Sequence, residues 1–290
     1  MKFKLGIFLC VLIVVFIIAQ HAGAKRLLPP FYKMEDNVEA VKSLKDFKTV
    51  QLTINNSPLH LVHTGSQSAP AVLFIHGSPG SWEAWAQYLH DPQLREQALI
   101  IAVDRPAYGG SNNGTYGKSL KEQSHLVMSA LKEAFPNHKE FIVVGHSYGG
   151  PIALRIAIDY PKSVKSMLLL APAISPDLVR VKWYNRLAKL LVVRLFLSTP
   201  LIHSNKEMIP LKAELKIMKP FLEQIKAPVN VLQGAKDWIV EPGNATYAKE
   251  TIINAPVKTT LLPENGHFLP WEEYPRIKKM IIQQIQKSDK

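Results

Sequence analysis

The chain has 290 residues, of which 47% are hydrophobic and 20% charged, and its formal net charge is +12. That length supports one large domain with a single core, and the composition excludes disordered and fibrous classes. The basic residues are scattered and no nucleic-acid motif accompanies them, so the charge argues against nucleic acid as a partner and leaves an anionic membrane surface as one to test.

At the start, Lys2 and Lys4 precede an apolar run from Leu5 to Ala19, followed by Ala22-Gly23-Ala24. A positive end, a short apolar run and a small-x-small site describe a signal peptide over 1–24. The competing reading is a retained membrane anchor, against which stands a run shorter than the ~20 residues of a spanning helix. Both readings place residues 25–290 outside the cytoplasm. The single cysteine, Cys10, lies in this run, so on cleavage neither disulfides nor thiolate metal sites enter the picture.

Beyond a short polar, proline-bearing stretch, Phe47–Ile54 and Leu59–His63 alternate apolar and polar residues around Asn55-Asn56-Ser57-Pro58. They predict an antiparallel hairpin at a sheet edge. Short apolar runs follow at Ala71–Ile75, Ala98–Val103, Phe141–Val144, Ser166–Leu170, Val229–Leu232 and Thr259–Leu262. Such runs predict strands buried on both faces, and helical patterns at Leu120–Phe135, Ile152–Tyr160 and Trp271–Gln286 alternate with them. The pattern predicts an α/β fold with a mostly parallel sheet and helices on both faces. Between Ser175 and Ile225 the rhythm breaks. Val181–Leu197, and Glu207–Leu222 interrupted by Pro210 and Pro220, read as a helical cap inserted over the sheet edge, about 175–225.

Gly145-His146-Ser147-Tyr148-Gly149 follows a strand and precedes a helix. This is the context in which G-x-S-x-G presents a nucleophile, with glycine where a tight turn has no room for a side chain. Ser147 is the predicted nucleophile, and a hydroxyl needs a base to take its proton. His267, in Glu264-Asn265-Gly266-His267-Phe268 after the last strand, is the candidate base. His146 is expected to point away from the site. Asp237, at the end of Val229–Leu232, is the candidate orienting acid, with Asp177 and Glu241 as rivals. The order Ser147, Asp237, His267 is the chain order of this architecture. Two amides would hold an oxyanion: that of Tyr148, after the nucleophile, and that of Ser78 in His76-Gly77-Ser78-Pro79-Gly80. His76 is expected to brace that loop.

On these motifs, together with Asp104-Arg105-Pro106-Ala107-Tyr108-Gly109-Gly110-Ser111, the chain resembles the α/β-hydrolase superfamily over nearly all of Phe47 to Gln286. The resemblance implies an eight-stranded, mostly parallel sheet and a Ser-His-Asp triad. It sets aside epoxide hydrolases and haloalkane dehalogenases, which carry an aspartate where Ser147 stands. The expected activity is cleavage of a carboxylic ester or related acyl bond in a small-molecule substrate, with no cofactor and no metal. Acyl transfer, amide or peptide cleavage and C–C bond hydrolysis use the same triad, and a non-catalytic ligand binder is the alternative from another class. Oligomeric state has no signature in this sequence.

Overall fold

A computed structural model of the chain describes residues 32–112, 119–180 and 197–287. The predicted signal segment and the first cap helix, Val181–Leu197 up to residue 196, lie outside the described residues. Among those described, no helix is long and apolar enough to cross a membrane.

Eight strands form one sheet: β1 (Lys48–Ile54), β2 (Ser57–Gly65), β3 (Ala71–Ile75), β4 (Leu99–Asp104), β5 (Phe141–His146), β6 (Val164–Leu170), β7 (Val229–Gly234) and β8 (Val257–Leu262). Their order is β1-β2-β4-β3-β5-β6-β7-β8. β2 pairs antiparallel with β1 and β4, and every other pairing is parallel. The helices are α1 (Tyr32–Lys42), α2 (Ala86–His90), α3 (Pro92–Gln97), α4 (Leu120–Ala134), α5 (Gly149–Asp159), α6 (Thr199–Met218), α7 (Asn244–Thr251), α8 (Leu269–Glu272) and α9 (Tyr274–Gln286).

The central strands read as unbroken apolar runs because each feeds two cores. On β3, Leu73 and Ile75 pack with α4 and α5 on one side, while Val72 and Phe74 pack with Trp85, Tyr88 and Ile281 on the other. The edge strand β8 departs from the expectation of two-sided burial: it is largely half-buried, and Leu261 faces solvent. An edge strand has one neighbour, so side chains toward the rim meet water.

The polar, proline-bearing stretch before β1 carries α1, a helix for which no expectation is drawn, anchored by buried Val38 and Val41. Two helical expectations are corrected. The final helix breaks at Glu273 into α8 and α9, with Pro275 in the first turn of α9, where no N–H is needed. In the stretch expected to form the cap, α6 runs through Pro210 and gives way to a 3-10 turn at Lys219–Gln224. Buried Leu211, Leu215 and Met218 hold it to the core past the proline, so tertiary packing overrides local propensity.

Candidate active site

The sheet order brings the site's loops together. β3 and β5 are far apart in sequence but adjacent in the sheet, with Ile75 opposite Gly145. The direction in which the chain winds reverses between them, and ligands of open α/β sheets bind at the carboxyl ends of strands at such a point. The His76–Gly80 loop therefore starts beside the Ser147 turn. A Cβ added at Gly77 would lie 3.0 Å from Cβ of Ser147.

Ser147 has φ +53°, a left-handed conformation that is costly for a side chain with a Cβ. Backbone bonds enforce it: its N–H donates to Leu170 O (3.0 Å), and its carbonyl accepts from Gly150 (3.0 Å) and Ala173 (3.2 Å). The flanking glycines are steric necessities. A Cβ at Gly145 would fall 2.6 Å from the Gly149 carbonyl oxygen, and one at Gly149 would fall 2.3 Å from that of Ile75. α5 begins directly behind, so its amino end faces the serine. The amides of Tyr148 and Ser78 make no internal hydrogen bond among the described residues.

Asp237 and His267 meet because β7 and β8 are neighbours. Lys236 N–H donates to Asn265 O (3.0 Å), and a Cβ at Gly234 would lie 2.2 Å from Gly266 O, so the two loops touch backbone to backbone. Nδ1–H of His267 donates to Oδ2 of Asp237 at 2.7 Å, which leaves Nε2 as the basic nitrogen. Asp237 is buried and its other oxygen accepts the amides of Ile239 (2.9 Å) and Val240 (2.8 Å), while Gln233 Nε2 donates to Oδ2 (3.1 Å). The rivals sit elsewhere. Asp177 is exposed, and exposed Glu241 lies 4.0 Å from Arg180.

His146 does not point away. It is buried with its ring centroid 4.9 Å from that of His267, and its Nε2–H donates to the His267 carbonyl at 3.0 Å. Burial, reinforced by the neighbouring His267, pushes its pKa down to about 3, so it is a neutral donor at ordinary pH. It braces the backbone of the candidate base from the strand that carries the candidate nucleophile. His76 braces its own loop, as expected: Nδ1–H donates to Gly77 O (2.7 Å) and Nε2 accepts the Arg105 amide (3.0 Å). Burial, and then the Arg105 charge, hold it well below the usual imidazole range, in keeping with that neutral tautomer.

Further residues at the site have no role assigned to them from the sequence. Arg105, just past β4, is fully buried and forms a bidentate ion pair with Glu207 of α6 (both 2.9 Å). Burial opposes the guanidinium charge, but the Glu207 carboxylate beside it outweighs that and raises its pKa. Tyr108 Oη donates to the same carboxylate (2.7 Å), and Ser78 Oγ donates to Ser204 Oγ of α6 (2.9 Å). α6 thus meets the site with polar groups. Among the described residues no three metal-ligating side chains cluster.

Comparison with known proteins agrees with this architecture. The family model for the alpha/beta hydrolase fold matches residues 70–192. A stretch of 104 residues is 36% identical to the dihydrolipoyllysine-residue acetyltransferase component of the acetoin cleaving system of Cupriavidus necator, covering 36% of this chain and 27% of that protein. A stretch of 113 residues is 26% identical to epoxide hydrolase 4 of Mus musculus, covering 38% of this chain and 30% of that protein. The chain thus spans less than a third of the length of these curated relatives. The crystal structure of a putative lipase from Acinetobacter baumannii AYE superposes with a TM-score of 0.65 at 21% identity, covering 89% of this chain and 96% of that one. With the sheet order, the Ser147 turn and this superposition in hand, the chain has the α/β-hydrolase fold, and its residues 70–192 are similar to the alpha/beta hydrolase family.

Proposed function

We propose that this protein is a serine hydrolase that cleaves a carboxylic ester or related acyl bond of a small molecule through an acyl-enzyme. The observation that carries the reading is the buried Asp237–His267 hydrogen bond of 2.7 Å, with the His267 ring 4.9 Å from that of His146, the residue next to Ser147. Nε2 of His267 takes the hydroxyl proton as Oγ of Ser147 attacks the carbonyl carbon. The carbonyl oxygen becomes an oxyanion held by the amides of Tyr148 and Ser78, and losing one such donor costs on the order of 3 kcal/mol in barrier. The proton passes from His267 to the departing alkoxide as the C–O bond breaks. Water then repeats the sequence on the acyl-enzyme. Asp237 fixes the tautomer of His267 and offsets its transient charge. An epoxide-opening route needs a carboxylate nucleophile, and position 147 holds a neutral hydroxyl instead.

Covalent labelling by a fluorophosphonate, lost in Ser147→Ala, is the expected result. A folded wild type that resists the reagent would sink the reading. Similarity to an acetyltransferase component favours a second acceptor beside water, so ester turnover in added alcohols should be analysed for transesterified product. The same proposal keeps the chain exported, on the strength of residues 1–24, with an anionic membrane surface as a partner. Cell fractionation and vesicle sedimentation, each with and without residues 1–24, test both points.

A further inference from the structure

Arg105 holds five N–H groups, and all five are engaged. Nε donates to His76 O (3.0 Å), one terminal nitrogen to Gln123 Oε1 and Glu207 Oε2 (both 2.9 Å), and the other to Glu207 Oε1 (2.9 Å) and Gly77 O (2.8 Å). The last bond matters most. Gly77 O and the Ser78 N–H belong to one peptide unit, and in a trans peptide they point in opposite directions. Pinning that carbonyl between Arg105 Nη2 and His76 Nδ1 (2.7 Å) therefore fixes where the Ser78 N–H points. A cation on the carbonyl also polarises the peptide and makes its N–H a stronger donor. The guanidinium packs on the rings of Tyr108 and Tyr148, 4.8 and 4.7 Å from their centroids, so it touches the residue that carries the second donor as well.

We infer that Arg105, locked by Glu207 of α6, is the positioning residue for the oxyanion donors, so that α6 sets the geometry of the hole. This rests on the serine-hydrolase reading above. A lysine cannot reproduce the arrangement, because three donors on a flexible stem replace five on a planar fork. If the ion pair merely stabilised the fold, breaking it would lower the melting temperature and the fraction of active molecules, yet leave turnover per active site unchanged. Positioning instead predicts a loss in kcat with little change in KM, because the donors act on charge that develops in the transition state.

The test uses the full chain with Arg105→Lys and Glu207→Gln. Active sites are titrated with a fluorophosphonate, kcat and KM are measured on a p-nitrophenyl ester, and affinity is measured for an alkyl trifluoromethyl ketone, whose adduct on Ser147 fills the oxyanion hole. Each variant should lose about 10²-fold in kcat per titrated site, the scale expected for a displaced catalytic group. Affinity for the ketone should fall in parallel. Unchanged kcat and ketone affinity beside a lowered melting temperature would overturn the inference alone. A wild type that neither labels nor turns over ester would overturn the hydrolase reading and this inference with it. Should both variants fail to fold, Tyr108→Phe, which deletes one hydroxyl from Glu207, must show the same parallel loss at a smaller factor, and parallel constancy would overturn the inference.

Discussion

Two turns at the carboxyl ends of neighbouring parts of the sheet make an instructive pair. The one after β4 has positive φ at Ala107 (+75°) and Gly109 (+47°), and the one after β5 has it at Ser147 (+53°). In the first, the side chains are consumed by the turn. Asp104 accepts from the amides of Trp82 (2.6 Å) and Gly110 (2.8 Å) and from His60 Nδ1 (2.8 Å), and Ser111 Oγ donates to the Asp104 carbonyl (2.7 Å). In the second, backbone bonds alone hold the strained residue. Among the described residues, the hydroxyl of Ser147 and the amide behind it have no hydrogen-bond partner. Strain sustained by the main chain, with polar capacity left over, marks a turn built to react; strain with every group satisfied marks one built to hold.

The sharpest break of that contrast is Ser147→Ala, which should cut kcat by about 10⁶-fold while leaving the melting temperature nearly in place. Asp237→Asn supplies the wrong tautomer of His267 and should lower kcat by about 10⁴-fold, measured as kcat on an activated ester. Asp104→Ala should invert the pattern. It strips an acceptor from Trp82, Gly110 and His60, costing about 3 kcal/mol in urea unfolding, with kcat per titrated site preserved.

Acid should act through the reactive turn. His146 has its folded pKa depressed from 6.5 to about 3 by burial and by His267. The unfolded chain therefore binds a proton that the folded chain refuses. The stability is fully present above pH 6.5 and is lost as pH falls toward about 3, at up to about 1.4 kcal/mol per pH unit. His146→Asn should flatten that slope in denaturation measured between pH 7 and pH 4. The smallest effect belongs to Ser111→Ala. It removes the donor to Asp104 O and the acceptor of the His60 amide (2.8 Å), and should cost about 1 kcal/mol with no change in turnover.

Much of this was legible in the chain itself. β3 is predicted to the residue and the other apolar strands to within two at either end, because two-sided burial, which only β8 at the edge escapes among them, demands unbroken apolar runs. The turn at Ser147 is legible because sterics restrict its neighbours to glycine. Asp237 and His267 stand out because each follows a strand end, and strand ends are where side chains of this architecture converge. The readings that failed were those that depend on what an element packs against. Pro210 reads locally as a break and is carried through α6 by its buried face. His146 reads as diverging from the site, yet the loop after β8 folds back over it.

What the sequence determined by itself is the alternation of elements and the special residues at their ends, because hydrophobic period and steric exclusion are local properties. Only the tertiary structure decided which of those ends meet. Sheet order sets the Ser78 loop beside Ser147 and joins the Asp237 and His267 loops across β7 and β8. It also carries Glu207 onto Arg105 from 102 residues away. No local pattern links the two residues, and the bond between them exists because a buried guanidinium must find a carboxylate wherever the fold can deliver one.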